Sequence, residues 1–444
     1  MNKSYFIETY GCQMNVADTE LVSAMLNDSG YEETNDINLA DAIFVNTCAI
    51  REHAEDKVHS RLGFYYKIKN QKPSTIIGVL GCMAQNLKED ILESKPYVDI
   101  VLGPDSYRKL PDMLKDRSES NKSHIVDTKL SKFEVYDNLF PSRKEGINAW
   151  VSIMRGCDKF CTFCIVPFTR GRERSRSIEG ILEEVKIAVD SGFSEITLLG
   201  QNVNSYNFEG KKFHTLLERV AQIDNVKRIR YTSPHPQDMT VDVLDVMRDH
   251  SNICNYVHLP LQAGSNKVLN RMNRTYTKEE FIALANLIRK KLPKVGISTD
   301  IIVGFPGENK TEFNETLKVM DEIKFDSAFT FKYSSRPGTK ASEYKDHVLE
   351  GEKQERLEMV IAKQRAHTKK RNEDFVDNIE DVLIEKESKR SSNQWAGRTD
   401  SNKWVIFDKK NGKIGDIVPV RIESALGITL QGSIEKIHEM EFVI

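Results

Sequence analysis

An α/β architecture is expected for this chain: an N-terminal doubly wound α/β domain, a central partial (βα)6 barrel and a small C-terminal β-barrel. Three observations predict it. Short apolar runs alternate with longer amphipathic ones from residue 5 to about residue 100. The alternation restarts at residue 149 and recurs six times, and beyond residue 371 the apolar period changes to two. A βα alternation builds parallel strands covered by helices, whereas period two builds half-buried antiparallel strands. The 444 residues are enough for about three domains of roughly 150 residues each.

In the first unit, residues 1–118, strands are expected at 5–9, 42–46, 75–80 and 98–102, with helices at 16–28, 52–69 and 86–94. Residues 119–142, with the polar runs SESNKS and FPSRKEG at their edges, read as a linker. In the second unit, residues 143–373, strands are expected at 150–154, 195–199, 228–232, 256–259, 296–303 and 328–333. Helices at 178–190, 214–223, 278–290 and 310–322 separate them, and a basic helix at 352–371 closes the unit. The tail, residues 375–444, reads as strands at 381–385, 394–398, 404–407, 417–422 and 429–432, with a turn at Asn411–Gly412.

Composition excludes some functions. Lys plus Arg number 64 and Asp plus Glu 66, a net charge of −2, so the chain is no uniformly basic nucleic-acid binder and any such contact must come from local patches. The apolar runs fall far short of the ~18–20 residues that cross a bilayer. The opening MNKSYFIETYGCQ has no signal-type apolar region, so a cytoplasmic protein without a membrane partner is expected. In that reducing setting seven cysteines are more often ligands or catalytic groups than disulfides.

Their spacing separates them into three groups. Cys157, Cys161 and Cys164 form C-x3-C-x2-C in RGCDKFCTFC, directly after the first barrel strand. One short loop can wrap a single centre with three soft thiolates; zinc normally takes four ligands, and no fourth Cys or His lies close by, which favours an iron–sulfur cluster with one open iron. A zinc site completed by a distant residue is the alternative. Cys12, Cys48 and Cys82 each stand just beyond the carboxyl end of an expected strand, in TYGCQMN, VNTCAIRE and VLGCMAQ. Carboxyl ends of parallel strands share one edge, where ligands collect, so these three are candidates for a second cluster; the alternative is three buried small apolar residues. Cys254 reads as a core residue.

The C-x3-C-x2-C array after the first strand of a six-fold βα unit resembles the radical S-adenosylmethionine superfamily. That resemblance implies a [4Fe-4S] cluster whose open iron binds S-adenosylmethionine and cleaves it reductively, with Phe163 against the adenine. With both cysteine trios, the chain resembles the methylthiotransferases over nearly its whole length, through NTCAIREHAEDKVHSRLG, GCMAQ, SIMRGCDKFCTFCIVPFTRGRERSR, LLGQNVNSY, HLPLQAGSNKVLNRMNRTY and STDIIVGFPGE. The family implies two [4Fe-4S] clusters and sulfur and methyl insertion at carbon 2 of isopentenylated adenosine 37 in tRNA. IREHAEDKV and the basic tail favour that substrate over threonylcarbamoyl-adenosine tRNA or a ribosomal-protein aspartate. A non-enzymatic metal-containing RNA-binding protein is the alternative from another class. An electron donor such as flavodoxin or ferredoxin, no DNA, and a monomeric chain complete the expectation.

Candidates for S-adenosylmethionine contacts sit after the barrel strands: Gln201, Ser233, Gln262, Asp300 and Gly304, with Arg170 a candidate for its carboxylate. No side chain is expected as a general acid or base. Two stretches, 141–176 and 386–413, each carry a net charge of +5. From the first, Arg172, Arg174 and Arg176 are candidates for phosphate contacts; from the second, Lys389, Arg398 and Lys403. The second interleaves Trp395, Trp404 and Phe407, and WAGRTDSNKWVIF resembles the TRAM domain of RNA-modifying enzymes. Its opening, VLIEKES, carries charged residues where members of that family often have glycine.

Overall fold

The computed structural model describes residues 3–48, 52–119, 124–144, 146–410 and 412–435. Outside these lie Ile50 and Arg51 of IREHAEDKV, residues 120–123 of the polar run, Glu145 of the first basic stretch, and Asn411 of the NG turn.

The N-terminal strands are all parallel and lie in the order Tyr31–Glu33, Lys3–Tyr10, Ala42–Thr47, Ile76–Gly81, Ile100–Leu102, Ile125–Asp127. The central strands are apolar on both faces because helices cover both, and two separate cores result. Leu21, Val22 and Leu26 of helix Gln13–Asp28 fill one; Val58, Leu62 and Tyr65 of helix Glu52–Gln71 fill the other. The expected linker needs correction. Ile125–Asp127 pairs with Ile100–Leu102 as the edge strand, and Tyr136 is buried against Tyr107. A three-residue strand that is only half buried has too little apolar signal to stand out from polar neighbours.

The central unit has six barrel strands in two groups of three. Asn148–Ser152, Glu195–Leu199 and Arg228–Tyr231 are parallel neighbours, as are Tyr256–His258, Gly296–Val303 and Ser327–Lys332. A parallel bridge from Ile229 to Ile253 joins the groups, so the barrel stays open between its first and last strands. One apolar core runs through the unit. Helix Glu350–Glu373 packs along the last strand. Helices Val166–Arg170, Val241–Asp249 and Asn266–Arg271 had no counterpart in the sequence reading.

The tail is a closed barrel of five strands, Ile379–Ser388, Ser391–Thr399, Trp404–Asp408, Ile417–Leu426 and Thr429–Ile434. It docks on the amino ends of the central strands. Arg228 donates to the carbonyls of Arg398 (2.6 Å) and Asp381 (2.7 Å), and Arg230 to that of Thr399 (2.9 Å). Gly296 lets this happen: a Cβ there would stand 2.4 Å from the Ser401 carbonyl oxygen. Among the described residues no helix is long and apolar enough to cross a membrane.

Candidate functional site

Cys12, Cys48 and Cys82 follow three neighbouring strands at the same edge, Lys3–Tyr10, Ala42–Thr47 and Ile76–Gly81. Cys12 is the N-cap of helix Gln13–Asp28 and Cys82 opens helix Cys82–Leu87. Glycine before two of them permits the approach. Gly11 has φ +129°, and a Cβ on it would lie 2.7 Å from Cys48 Cβ; Gly81 has φ +90°, with its Cβ position 2.3 Å from Asn46 Oδ1 and 2.8 Å from the Thr47 carbonyl. Gly81→Ala therefore combines a left-handed backbone, about 1–3 kcal/mol, with a clash against two fixed groups. A lowered melting temperature of the metal-free protein is expected; an unchanged melting curve would refute the argument.

The three thiols influence one another. A hydrogen bond from Cys48 lowers the Cys12 thiol to about 6, against the opposing effect of burial, and the Arg170 cation and the helix N-terminus act in the same downward direction. Burial raises Cys82, opposed by Arg170, while Cys12 adds to the rise. Arg170 Nε donates to Cys82 Sγ at 3.0 Å. Asn15 accepts from Cys12 Sγ (3.3 Å), and Asn46 donates to the Asn15 carbonyl (3.0 Å), fixing the helix start against the strand ends.

The second trio lies in the loop after Met154–Arg155. Burial raises Cys157 to about 11 and Cys164 to about 12, and Cys161 adds to both. Arg274 Nη1 donates to Cys161 Sγ at 3.3 Å; the sequence reading missed this residue, although it falls within HLPLQAGSNKVLNRMNRTY. Gly156 (φ +79°) brings the loop within contact of the Arg172 carbonyl, 2.0 Å from the Cβ position. The two trios are close in the chain's path: Ile165, next to Cys164, packs on Cys82, and helix Val166–Arg170 lies against helix Cys82–Leu87.

Each trio offers three free thiols, soft donors of the kind that hold iron–sulfur clusters. Among the described residues no three His, Cys, Asp or Glu side chains close on a point that one metal ion could occupy. Zinc, with Zn–S of about 2.3 Å, needs its sulfurs close together, whereas a four-iron cluster gives each thiolate its own iron and so spreads them.

The other candidates divide. Gln201 Oε1 and Gln262 Oε1 are buried without a hydrogen-bond partner, and both follow barrel strands. Such acceptors suit the ammonium and ribose hydroxyls of S-adenosylmethionine. Ser233 (φ +59°) and Gln262 (φ +68°) hold left-handed backbone conformations, strain of a kind that clusters at functional sites. Phe163 packs into the barrel core, edge-on to Phe305 at 6.4 Å. Asp300 lies 3.3 Å from His258 Nε2. Gly304 has φ +70°, and its Cβ position falls 2.3 Å from Lys353 Cγ, so it accommodates helix Glu350–Glu373.

Several basic candidates are corrected by burial. Arg170 reaches Cys82 and Asp18 (Nη1 to Oδ2 2.6 Å), on the side of the N-terminal trio, and is bonded there rather than to a carboxylate ligand of the barrel loop. Arg174 is buried in a two-pronged pair with Asp105 (2.9 and 3.0 Å), and Arg176 between Asp137 and Glu184. Arg398 bridges Glu195 and Glu385, and Lys403 is buried 2.7 Å from Asp326, so both fasten the tail to the barrel. A polyanion cannot reach the buried groups Arg170, Arg174, Arg176 and Lys403; Arg398 is part-exposed, but both its carboxylate partners are within the protein. Arg172 and Lys389 are exposed. Lys386 stands 4.5 Å from the Trp404 ring, and Lys409 4.1 Å from that of Trp395, which the register turns to the opposite face and which packs against the barrel's core.

Three family models match in succession: Uncharacterized protein family UPF0004 over residues 4–103, the Radical SAM superfamily over 151–320, and the TRAM domain over 376–434. Among similar proteins, one from Parabacteroides distasonis is 47% identical over 437 residues, covering 97% of this chain and 95% of its own. One from Christiangramia forsetii is 43% identical over 451 residues, covering 97% and 93%. Both are named tRNA-2-methylthio-N(6)-dimethylallyladenosine synthase. Among solved structures, the radical S-adenosylmethionine methyltransferase TsrM from Kitasatospora setae superposes with a TM-score of 0.58 at 13% identity, over 77% of this chain and 75% of that one. The cobalamin-dependent radical enzyme OxsB gives 0.55 at 15% identity, over 81% and 56%. At such identities these two establish the fold alone.

Proposed function

This chain belongs to the tRNA-2-methylthio-N(6)-dimethylallyladenosine synthase family, and on that premise we propose that it inserts sulfur and methyl at carbon 2 of isopentenylated adenosine 37 in tRNA. The observation that carries this reading is identity of 43% to 47% across nearly the full length of relatives so named. It is an iron–sulfur enzyme that uses S-adenosylmethionine, as its radical domain implies. We assign one cluster to Cys157, Cys161 and Cys164 and a second to Cys12, Cys48 and Cys82. When bound, the first supplies one-electron cleavage of S-adenosylmethionine and the second carries the sulfur to be transferred.

The chain's own residues supply position and charge. Arg274 and Arg170 donate to one thiolate of each trio. Gln201, Gln262 and Phe163 line the strand ends where the methionine and adenine parts would be held, with Ser233 and Asp300 beside them. Burial of Cys157, Cys164 and Cys82 makes their thiols weak acids, so loading the sites with iron releases protons and tightens as pH rises. The exposed cations Arg172 and Lys389 and the tail's Trp404 face the RNA in this reading. A small redox protein such as flavodoxin or ferredoxin supplies electrons, and the chain works as a monomer in the cytoplasm.

The test is anaerobic reconstitution followed by reaction with S-adenosylmethionine, a reductant and tRNA bearing isopentenyladenosine. About eight irons and eight sulfides per chain are expected, with the methylthio nucleoside appearing in tRNA digests by mass spectrometry. Product on threonylcarbamoyl-adenosine tRNA alone would overturn the substrate assignment, and about four irons per chain the assignment of two clusters.

A further inference from the structure

At the junction of the N-terminal sheet and the barrel, two guanidinium groups meet on one buried carboxylate. Asp18 is fully buried, and two guanidinium groups reach it: Arg155 Nη2 at 2.6 Å from Oδ1 and Arg170 Nη1 at 2.6 Å from Oδ2. Both arginines are buried, at 1% and 2% exposure. Arg155 has further partners, the Pro104 carbonyl at 3.5 Å and the Tyr136 ring at 4.5 Å from its guanidinium carbon. Arg170 has Cys82, through Nε at 3.0 Å, while its Nη2 is buried with no hydrogen-bond partner among the described residues. The nearby Tyr107 hydroxyl donates weakly to Asp18 at 3.4 Å, and burial keeps that phenol protonated, so it adds no negative charge. Two cations therefore face one carboxylate. A buried cation needs partners, and besides Asp18 the side chain that Arg170 reaches with a hydrogen bond is Cys82, whose sulfur accepts from Nε at 3.0 Å.

We infer that Arg170 is a positioning residue of the N-terminal cluster, donating a charge-assisted hydrogen bond to the Cys82 thiolate and thereby holding that cluster at a higher reduction potential than its three cysteines would set alone. The inference rests on the assignment of Cys12, Cys48 and Cys82 as cluster ligands. Hydrogen bonds to cluster sulfurs and local cationic charge stabilise the reduced, more negative state. The placement also ties the two trios together. Arg170 ends a five-residue helix that starts two residues after Cys164, and Ile165 between them packs on Cys82. The barrel loop and the donor to Cys82 are thus separated by six residues of chain.

The experiment is a redox titration followed by electron paramagnetic resonance, on full-length protein in which Cys157, Cys161 and Cys164 are replaced by Ala so that one cluster remains. In that background Arg170→Met is expected to keep its iron and to lower the midpoint. At a fixed potential the reduced-to-oxidised ratio would fall about tenfold, the worth of one hydrogen bond to a charged group, which for one electron is about 59 mV. Arg170→Lys, which keeps the charge but lacks Nε, should shift less in the same direction. Asp18→Asn, which removes the competing carboxylate, should shift the opposite way. A parental midpoint in Arg170→Met overturns the inference. So does a parental midpoint in Arg170→Lys if the Met variant binds no iron, or in Asp18→Asn if neither Arg170 variant does. If the parental background itself binds no iron, the ligand assignment fails and the inference falls with it.

Discussion

Cys161→Ala is expected to reduce 5′-deoxyadenosine formation to background, while Cys48→Ala preserves that cleavage and abolishes sulfur insertion into tRNA. The two sulfurs stand in separate trios with separate supports. Cys161 accepts from Arg274 in the barrel loop and influences Cys157 and Cys164. Cys48, 3% exposed at the end of Ala42–Thr47, hydrogen-bonds Cys12 and is what lowers that thiol to about 6. Removing Cys48 takes away a ligand of the proposed N-terminal cluster and, with it, the hydrogen bond that lowers Cys12. Neither change disturbs the backbone: alanine is smaller than cysteine at both positions, and at Cys48 it retains the Cβ that Gly11 is shaped to meet. The measurement pairs chromatographic assay of 5′-deoxyadenosine with mass spectrometry of tRNA digests and an iron count for each variant. Equal loss of cleavage in both variants, each still holding about four irons at its intact site, would refute the division of labour.

Much of this arrangement was legible because it rests on periodicity and on strand ends. Glu195–Leu199, Gly296–Val303 and helix Ile178–Asp190 have the bounds the apolar pattern predicts. Those segments are long or fully buried, so burial writes itself into residue type. The same logic placed Cys12, Cys48 and Cys82 beyond three strand ends that the structure puts side by side. The positive charges were less legible. TRGRERSR reads as a basic turn, yet Arg174 and Arg176 are consumed by Asp105, Asp137 and Glu184, carboxylates that charge counting over a window either misses or cannot pair. Arg398 and Lys403 are likewise claimed by Glu195 and Asp326, from the barrel's amino-end face. A carboxylate at the start of a barrel strand, as Glu195 is, or just before one, as Asp326 is, was the available signal: a buried acid requires a cation from elsewhere in the fold. Asp18, inside an otherwise unremarkable helix, offered no such signal.

Asp18→Ala is expected to destabilise the metal-free protein by about 3–5 kcal/mol, the range for breaking a buried ion pair by removing one partner. The magnitude comes from what is left behind. Arg155 and Arg170 would face each other across a site with no exposed surface, 1% and 2% accessible, without the carboxylate that both contact at 2.6 Å. Neither can escape to water: Arg155 lies against Tyr136, and Arg170 is fixed at its Nε by Cys82. Arg155 and Arg170 belong to the barrel unit and Asp18 to the first helix of the N-terminal unit, so the loss falls on the seam between the two. At a urea slope of about 2 kcal/mol per molar, the midpoint of the affected transition would fall by roughly 1.5–2.5 M. Adding Arg155→Met to Asp18→Ala removes one of the stranded cations and fills the space with an apolar chain, so the double variant should recover part of the loss, a coupling of about 1–3 kcal/mol in a double-mutant cycle. A shift under ~1 kcal/mol for Asp18→Ala, in the range of an exposed pair, or strictly additive effects in the cycle, would mean that water or rearrangement compensates the two guanidinium groups and that Asp18 does not hold the seam.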